Sequence, residues 1–222
     1  MNILAISSFG TVLETGLRTA DGDYINLRKV GLKHNQILLN QIDFLVRDAG
    51  IAMNEIDLVL CTRGPGSFTA IRIVMSTAKG IAAGSEAAFI AVPTFDVVGH
   101  LFSWYPGYAV PVIDGRKGKY YTAVYENGKK LHPERDLRAA EFNKLLPPGK
   151  PVLIIGEDAD SIAGELPRST DTLTTVSSGF TLLPPLFETG TALFKNGTTC
   201  DTIISPLYIR KSDAELAKEK NT

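Results

Sequence analysis

The chain has 222 residues, of which 44% are hydrophobic and 21% are charged, and its formal net charge at pH 7 is −1. This composition is typical of a soluble globular protein with one large or two small domains. The near balance of basic and acidic residues argues against a protein that binds nucleic acid by itself, because neutralising phosphates requires a surplus of lysine and arginine. We expect a cytoplasmic protein without a signal peptide or membrane span, and its two cysteines, Cys61 and Cys200, are expected to be reduced.

The first 105 residues predict a mixed sheet with helices on its faces. Alternating apolar residues and the Asp21-Gly22 turn indicate three antiparallel strands. Helical and extended patterns then alternate along the chain. In chain order, the expected elements are strands at 3–6, 11–18 and 24–30, a helix at 34–49, a strand at 56–61, a helix at 69–83, a strand at 88–92 and a helix at 94–104.

Residues 106–222 predict a second unit that also opens with antiparallel strands. Because both halves begin in this way, the sequence is compatible with a duplicated sheet topology. The expected elements are strands at 109–113 and 119–125, a hairpin turn at 127–128, a helix at 139–146, a strand at 152–155, an irregular segment at 157–180 and a helix at 185–195. The charged tail after Lys211 is expected to fray or to dock loosely.

Residues 63–72, Arg-Gly-Pro-Gly-Ser-Phe-Thr-Ala-Ile-Arg, are the most informative stretch. They predict a strand, a tight glycine turn and a helix N-terminus, with Ser67 or Thr69 as the N-cap. Such a turn directs backbone N–H groups at an anion, although a sharp corner that binds nothing explains the pattern equally well. The absence of a lysine before the hydroxyl residue excludes a P-loop of the nucleoside-triphosphate type. The candidate contacts with an anion or nucleotide are Gly64, Pro65, Gly66, Ser67 and Thr69.

These motifs, taken together, resemble the bacterial TsaB (YeaZ) family. The resemblance runs from residue 3 to about residue 210, and its most specific element is Arg-Gly-Pro-Gly-Ser-Phe-Thr. The residues that carry it are Ile3-Leu4-Ala5-Ile6, the stretch from Arg63 to Thr69, Arg72-Ile73, Pro93-Thr94, Ile113-Asp114-Gly115-Arg116 before Tyr120-Tyr121, and Pro206-Leu207-Tyr208-Ile209-Arg210.

The resemblance implies an α/β protein with the actin-like ASKHA fold, made of two ribonuclease-H-like domains at 1–105 and 106–222. It implies a non-catalytic partner subunit in the machinery that makes threonylcarbamoyladenosine at position 37 of tRNAs reading ANN codons. Its partners would be the TsaD-type transferase, which carries the metal, and the TsaE-type ATPase. The chain would contact tRNA through the complex and form a homodimer when TsaD is absent. It would hold no cofactor tightly, with ATP or ADP at the shared interface of the complex.

The residues support a non-catalytic interpretation independently. Actin-like ATPases and TsaD-type transferases place an aspartate after the first strand, whereas this chain has Ser7, whose hydroxyl cannot supply the charge that holds Mg²⁺ among phosphates. His34 has Leu38 where a second histidine ligand would stand, so we expect no metal site and no catalytic residue. Asp114 and Arg116 are a second candidate contact for a nucleotide in the interdomain cleft. An ion pair that stabilises the turn is the favoured alternative.

The two N-terminal helices predict a partner interface. The first helix has apolar residues beyond one narrow stripe, so one face can cover the sheet while the flank remains for a partner; they are Ile37, Leu39, Phe44 and Val46. The second helix is rich in small residues that permit close helix packing. Packing of the second helix against its own sheet explains the small residues as well. The expected interface residues are His34, Leu38, Ile42, Leu45, Arg72, Ile73, Ser76 and Thr77.

Two enzymatic alternatives stay open at this point. One is a stand-alone ATPase or kinase-like enzyme of the actin-like superfamily, against which Ser7 argues. The other is a peptidase, for which the sequence offers neither a Ser/His/Asp arrangement nor a His-Glu-x-x-His motif.

Overall fold

The computed structural model contains two five-stranded sheets that lie side by side, with helices on the faces of each. Apart from the side chains of residues 28, 29, 34–36 and 143, it describes residues 1–29, 34–166, 172–200 and 203–210. Within these ranges, no helix has an apolar run long enough to cross a bilayer. Both cysteines are free thiols, as expected.

The first sheet has the strand order β3-β2-β1-β4-β5. Its strands are Ile3–Phe9 (β1), Val12–Arg18 (β2), Asp23–Lys29 (β3), Leu58–Thr62 (β4) and Ala88–Val92 (β5). The first three strands pair antiparallel, and β4 and β5 extend the sheet in parallel with β1. The helices of this half are His34–Asp48 (α1), Phe68–Ser85 (α2) and Thr94–Leu101 (α3). Every residue of β1 is buried, since this strand is central and both faces of the sheet are covered.

The second sheet has the order β10-β9-β6-β7-β8, which repeats the topology of the first. Its strands are Tyr108–Arg116 (β6), Lys119–Glu126 (β7), Lys129–Leu137 (β8), Val152–Ile155 (β9) and Leu173–Val176 (β10). A 3-10 helix covers Ala139–Lys144, and two α-helices follow at Ala159–Glu165 (α4) and Leu183–Lys195 (α5). This repetition confirms the expected α/β fold of two ribonuclease-H-like units with mixed sheets.

Helices α1 and α2 cover the outer face of the first sheet. Their inward side chains join Leu4, Ile6 and Val59 in one apolar cluster. Such a helical layer forms because apolar residues recur about every turn on one side of each helix. The opposite side of both helices faces away from the sheet. On α1 it leaves Leu39 and Phe44 exposed, and on α2 the segment 203–210 contacts Phe68, Arg72 and Lys79, whereas Ser76 stays exposed.

Helices α3 and α5 lie between the two sheets. Gly99 of α3 packs so closely on the Tyr125 ring that a Cβ would lie 2.3 Å from it, and a Cβ on Gly190 of α5 would lie 2.5 Å from Leu60. The resulting apolar cluster contains residues from both sheets, among them Ala5 and Ile155. Although α5 follows the second sheet in the chain, it packs on β1, β4 and β5 of the first.

The structure differs from expectation mainly in the second half. The segment 157–180 was expected to be irregular, yet it holds α4 and β10. Both elements are short, with seven and four residues, so neither is long enough to show a clear periodicity. The expected α-helix at 139–146 is a six-residue 3-10 helix. The strand expected at 24–30 ends at Lys29, and position 30 and the tail after Lys211 lie outside the described residues.

Candidate functional sites in the cleft and on the helical face

A cleft of about 520 Å³ opens between the two halves. The segments after β4 of the first sheet and β9 of the second meet there with the β1–β2 and β6–β7 hairpins. Its lining residues are Gly10, Thr11, Pro65, Gly66, Ser67, Phe68, Thr69, Ile113, Asp114, Gly115, Arg116, Tyr121, Glu157, Asp158, Leu207, Tyr208, Ile209 and Arg210. The two regions expected to contact an anion are therefore brought together. Gly64, the first of the expected contacts, lies buried beneath the turn and not on the cleft wall.

The glycine turn is fixed from two sides. The Gly64 N–H donates to Thr94 Oγ1 at 3.0 Å, and the Thr94 N–H donates back to the Gly64 carbonyl at 2.7 Å. Gly64 has a φ of +100°, which a residue with a side chain adopts only under strain. From the other side, the Leu207 N–H donates to the Arg63 carbonyl at 2.7 Å. The turn therefore presents the N-terminus of α2 to the cleft in one defined orientation.

The expected N-cap of α2 differs in detail. Ser67 occupies the N-cap position, but its side chain makes no capping hydrogen bond, and Thr69 lies inside the first turn of the helix. Both residues are exposed to the cleft. The Ser67 hydroxyl therefore accepts no hydrogen bond from the backbone N–H groups of the first turn of α2.

Asp114 stabilises its hairpin through the backbone. Its Oδ1 accepts the backbone N–H of Arg116 at 2.7 Å, and Arg116 has a φ of +63°. The Asp114 N–H in turn donates to Asp158 Oδ2 at 2.8 Å. Burial raises the pKa of the Asp158 carboxyl, the Asp114 N–H lowers it, and the nearby carboxylates of Asp114 and Glu157 raise it further. The structural role foreseen for Asp114 is present, although its partner is the Arg116 backbone and not an ion pair.

Sequence reasoning missed the acidic wall of the cleft. Glu157 and Asp158 follow β9 at the position where the glycine turn follows β4 in the first sheet. Because the sheets repeat, this correspondence is the signal that could have identified them. The Thr11 N–H donates to Glu157 Oε2 at 2.9 Å, and the Thr11 hydroxyl donates to Glu157 Oε1.

The segment 203–210 closes the cleft at its other end. The Tyr208 ring stacks on Phe68 with centroids 4.5 Å apart, and its hydroxyl accepts a hydrogen bond from Arg72 Nε at 2.7 Å. Arg210 donates to the Gly115 carbonyl of the second half at 2.7 Å. The segment therefore connects α2 to the β6–β7 hairpin.

Ser7 does not reach the cleft. It is fully buried within β1, directly opposite Glu14 of β2. Glu14 is only 3% exposed, and its carboxylate accepts the Leu182 N–H at 2.9 Å at the start of α5. Burial raises the pKa of Glu14 to about 7, although the Leu182 N–H partly offsets this effect. Among the described residues, no group of three or more potential metal ligands comes together.

The expected interface residues separate into two groups. Leu38, Ile42 and Leu45 were expected to contact a partner, but they are at most 2% exposed and belong to this chain's own core. The exposed apolar side chains of α1 are instead Leu39 at 61% and Phe44 at 57%. The stripe that fits the helical period therefore covers the sheet, and residues outside it face away.

The second helix retains its candidates on the outer side. Ser76 is exposed, and Ile73 and Thr77 are half-buried. The guanidinium of Arg72 lies 3.8 Å from the centroid of the Phe68 ring, so this side chain is engaged within the chain. His34 begins α1, but its side chain lies outside the described part.

Comparison with known proteins identifies relatives over most of the chain. The family model for TsaD: tRNA N6-adenosine threonylcarbamoyltransferase matches residues 28–181. The tRNA threonylcarbamoyladenosine biosynthesis protein TsaB of Bacillus subtilis is 27% identical over 166 residues, which span 71% of this chain and 72% of that protein. The protein of the same name from Escherichia coli is 34% identical over 102 residues, or 43% of this chain and 44% of that protein.

Solved structures agree in fold. YeaZ from Pseudomonas aeruginosa superposes with a TM-score of 0.78 at 18% identity, over 93% of this chain and 99% of that chain. A Bacteroides thetaiotaomicron protein with an actin-like ATPase fold matches with a TM-score of 0.50 at 10% identity, over 84% of this chain and 95% of that chain. The chain therefore belongs to the wider TsaD family and, within it, to the TsaB (YeaZ) group of tRNA threonylcarbamoyladenosine biosynthesis proteins.

Proposed function

We propose that this chain is a non-catalytic partner subunit in threonylcarbamoylation of adenosine 37 in tRNAs reading ANN codons. It associates with the TsaD-type transferase, helps recruit the TsaE-type ATPase, and meets tRNA through that complex. The observation that carries the proposal is the exposure of large apolar side chains on α1, where Leu39 and Phe44 are more than half exposed, together with the half-buried Ile73 and Thr77 on α2. Exposed large apolar side chains favour a contact with another protein.

The buried first strand supports the non-catalytic part of the proposal. Ser7 stands at the position where catalytic members of the superfamily place an acid, and it is fully covered by the protein. A buried hydroxyl can neither hold a divalent cation nor reach a substrate in the cleft. Any ATP or ADP is proposed to lie at the shared interface of the complex, with Ser67 and Arg116 on the cleft wall as contacts.

The partner interface is tested by placing a large charge on the helical face. Ser76→Arg should abolish co-purification with the TsaD-type subunit, because a guanidinium would be buried without a partner. Ser161→Arg introduces the same side chain at an exposed position of α4, on the other half of the molecule, and should leave the complex intact. An unchanged heterodimer of Ser76→Arg by gel filtration would contradict the proposed interface. Gel filtration of the chain without the TsaD-type subunit gives a second readout: Ser76→Arg should no longer form the homodimer expected of the unaltered chain.

The role itself is tested by reconstitution. Unmodified tRNA is incubated with the TsaD-type and TsaE-type proteins, with and without this chain. Threonine, bicarbonate and ATP are supplied together with a TsaC-type enzyme, which makes the threonylcarbamoyl adenylate from them. Modification is expected only when the chain is present. Full modification in its absence would remove the scaffold role, and steady ATP turnover by the isolated chain would favour the kinase-like alternative.

A further inference from the structure

The cleft contains a contact that the proposed scaffold role does not require. At the β1–β2 turn, the backbone N–H and the hydroxyl of Thr11 both donate to the carboxylate of Glu157. Thr11 belongs to the first half of the molecule and Glu157 to the second, 146 positions later in the chain. The pair is therefore a bond across the cleft.

The turn is shaped to receive an oxyanion. Gly10 has a φ of +60°, and a Cβ at this position would lie 2.6 Å from Glu157 Oε2. A side chain at this position would displace the carboxylate from where it lies. Backbone N–H groups beside a positive-φ residue can bind anions. Here the Thr11 N–H is such a donor, and the Thr11 hydroxyl adds a second one. The carboxylate of Glu157 fills the place that such a turn offers.

The charges around this position explain what it would accept. Arg116 and Arg210 lie on the same cleft wall and favour an anion, whereas Asp114, Glu157 and Asp158 oppose one. The Glu157 carboxylate accepts both hydrogen bonds that Thr11 can donate. Its negative charge also repels an incoming phosphate. Because the carboxylate is part of the chain, its effective concentration at the turn is high, and a free anion must displace it.

We propose that Glu157 is an intramolecular occupant of a phosphate-binding turn at Gly10–Thr11, and that it keeps the cleft of the isolated chain closed to phosphate-bearing ligands. The site is distinct from the glycine turn at 63–69 and from the outer face of α1 and α2. The inference holds whether or not the chain serves as a scaffold.

The test measures binding of inorganic phosphate to the full chain by calorimetry, with the Thr11 amide followed by ¹⁵N NMR. Glu157→Ala vacates the turn and is expected to bind phosphate at least tenfold more tightly than the unaltered chain, with the largest amide shift at Thr11. Asp158→Asn is the matched control, because it removes one negative charge from the same cleft but leaves the Glu157–Thr11 bond in place. It is expected to stay within about twofold of the unaltered chain.

Two outcomes would overturn the inference. One is phosphate affinity of Glu157→Ala that equals that of the unaltered chain. The other is an equal gain in Asp158→Asn, which would assign the effect to general electrostatics. Should Glu157→Ala fail to fold, Glu157→Gln decides by the same criterion. Its neutral amide carbonyl still accepts the Thr11 N–H but competes less well, so at least a threefold gain over Asp158→Asn is expected.

Discussion

The buried carboxyl of Glu14 predicts an unusual dependence of stability on pH. Its pKa is raised from 4.5 to about 7 in the folded chain, chiefly because the group is removed from water. Below pH 4.5 the carboxyl is protonated in both states. Between these two values the unfolded chain is ionised while the folded chain stays protonated, so stability falls as pH rises. Above about pH 7 both states are ionised, and the loss is complete.

The magnitude follows from the shift in the Glu14 pKa. A change from 4.5 to about 7 corresponds to about 3 kcal/mol of unfolding free energy, at about 1.4 kcal/mol per pH unit. Glu14→Gln cannot ionise, and its carbonyl oxygen can still accept the Leu182 N–H that the carboxylate accepts at 2.9 Å. The variant should therefore gain stability relative to the unaltered chain as pH rises.

Urea denaturation from pH 5 to pH 8 measures this difference. The free energy of unfolding of Glu14→Gln minus that of the unaltered chain is expected to grow by about 2.5 kcal/mol over this range, because the first part of the loss has already occurred at pH 5. Glu86→Gln, which removes a carboxylate from an exposed position at the end of α2, should follow the unaltered chain at every pH. Parallel curves for Glu14→Gln and the unaltered chain would refute the reasoning.

Three further predictions concern the helical face, the core and the glycine turn. Phe44→Ala should weaken association with the TsaD-type subunit by about 2–3 kcal/mol, because roughly 100 Å² of its exposed ring is available for burial; equal affinities in calorimetry would contradict this. Ile42→Ala should destabilise the isolated chain by about 2–5 kcal/mol, whereas Leu39→Ala should change stability by less than about 0.5 kcal/mol in urea titrations, and equal losses would contradict the assignment of core and surface. Gly64→Ala should lower the free energy of unfolding by more than about 1 kcal/mol, since φ is +100° there and the new methyl would lie 2.9 Å from a backbone carbonyl oxygen. Gly80→Ala, which has open space around it in mid-helix, should instead stabilise the chain. The opposite order of melting temperatures would count against this account.

The sequence predicted the fold because its long elements carry strong local signals. The hairpin strands, the apolar runs at 58–62 and 88–92, and the periodic helix α1 all lie close to where their patterns place them. Helix α4 and strand β10 were missed since seven and four residues hold too little pattern, and their pairing with β9 and its neighbours decides their structure. Short elements are set by tertiary contacts more than by local preference.

The candidate sites were predicted less completely, for two physical reasons. In α1 the periodic stripe of Leu38, Ile42 and Leu45 was assigned to a partner, but one stripe cannot cover both the sheet and another protein. Leu39 and Phe44 were among the apolar residues found beyond that stripe, and these two are exposed, whereas Val46 is buried. In the cleft, Thr11 and Glu157 are 146 positions apart in the sequence, and their contact depends on how the two sheets meet. No local pattern encodes that distance.

The return of α5 to the first sheet has a consequence for how the chain acquires its shape. During synthesis, strands β1 to β5 leave the ribosome long before residues 183–195, whose Phe187 and Leu183 pack beside Gly16. Until then the inner face of the first sheet lacks one of its two covering helices. A fragment that ends at residue 105 would expose the apolar surface of Leu60, so division of this protein at the boundary between its sheets is expected to yield an aggregation-prone piece rather than an autonomous unit.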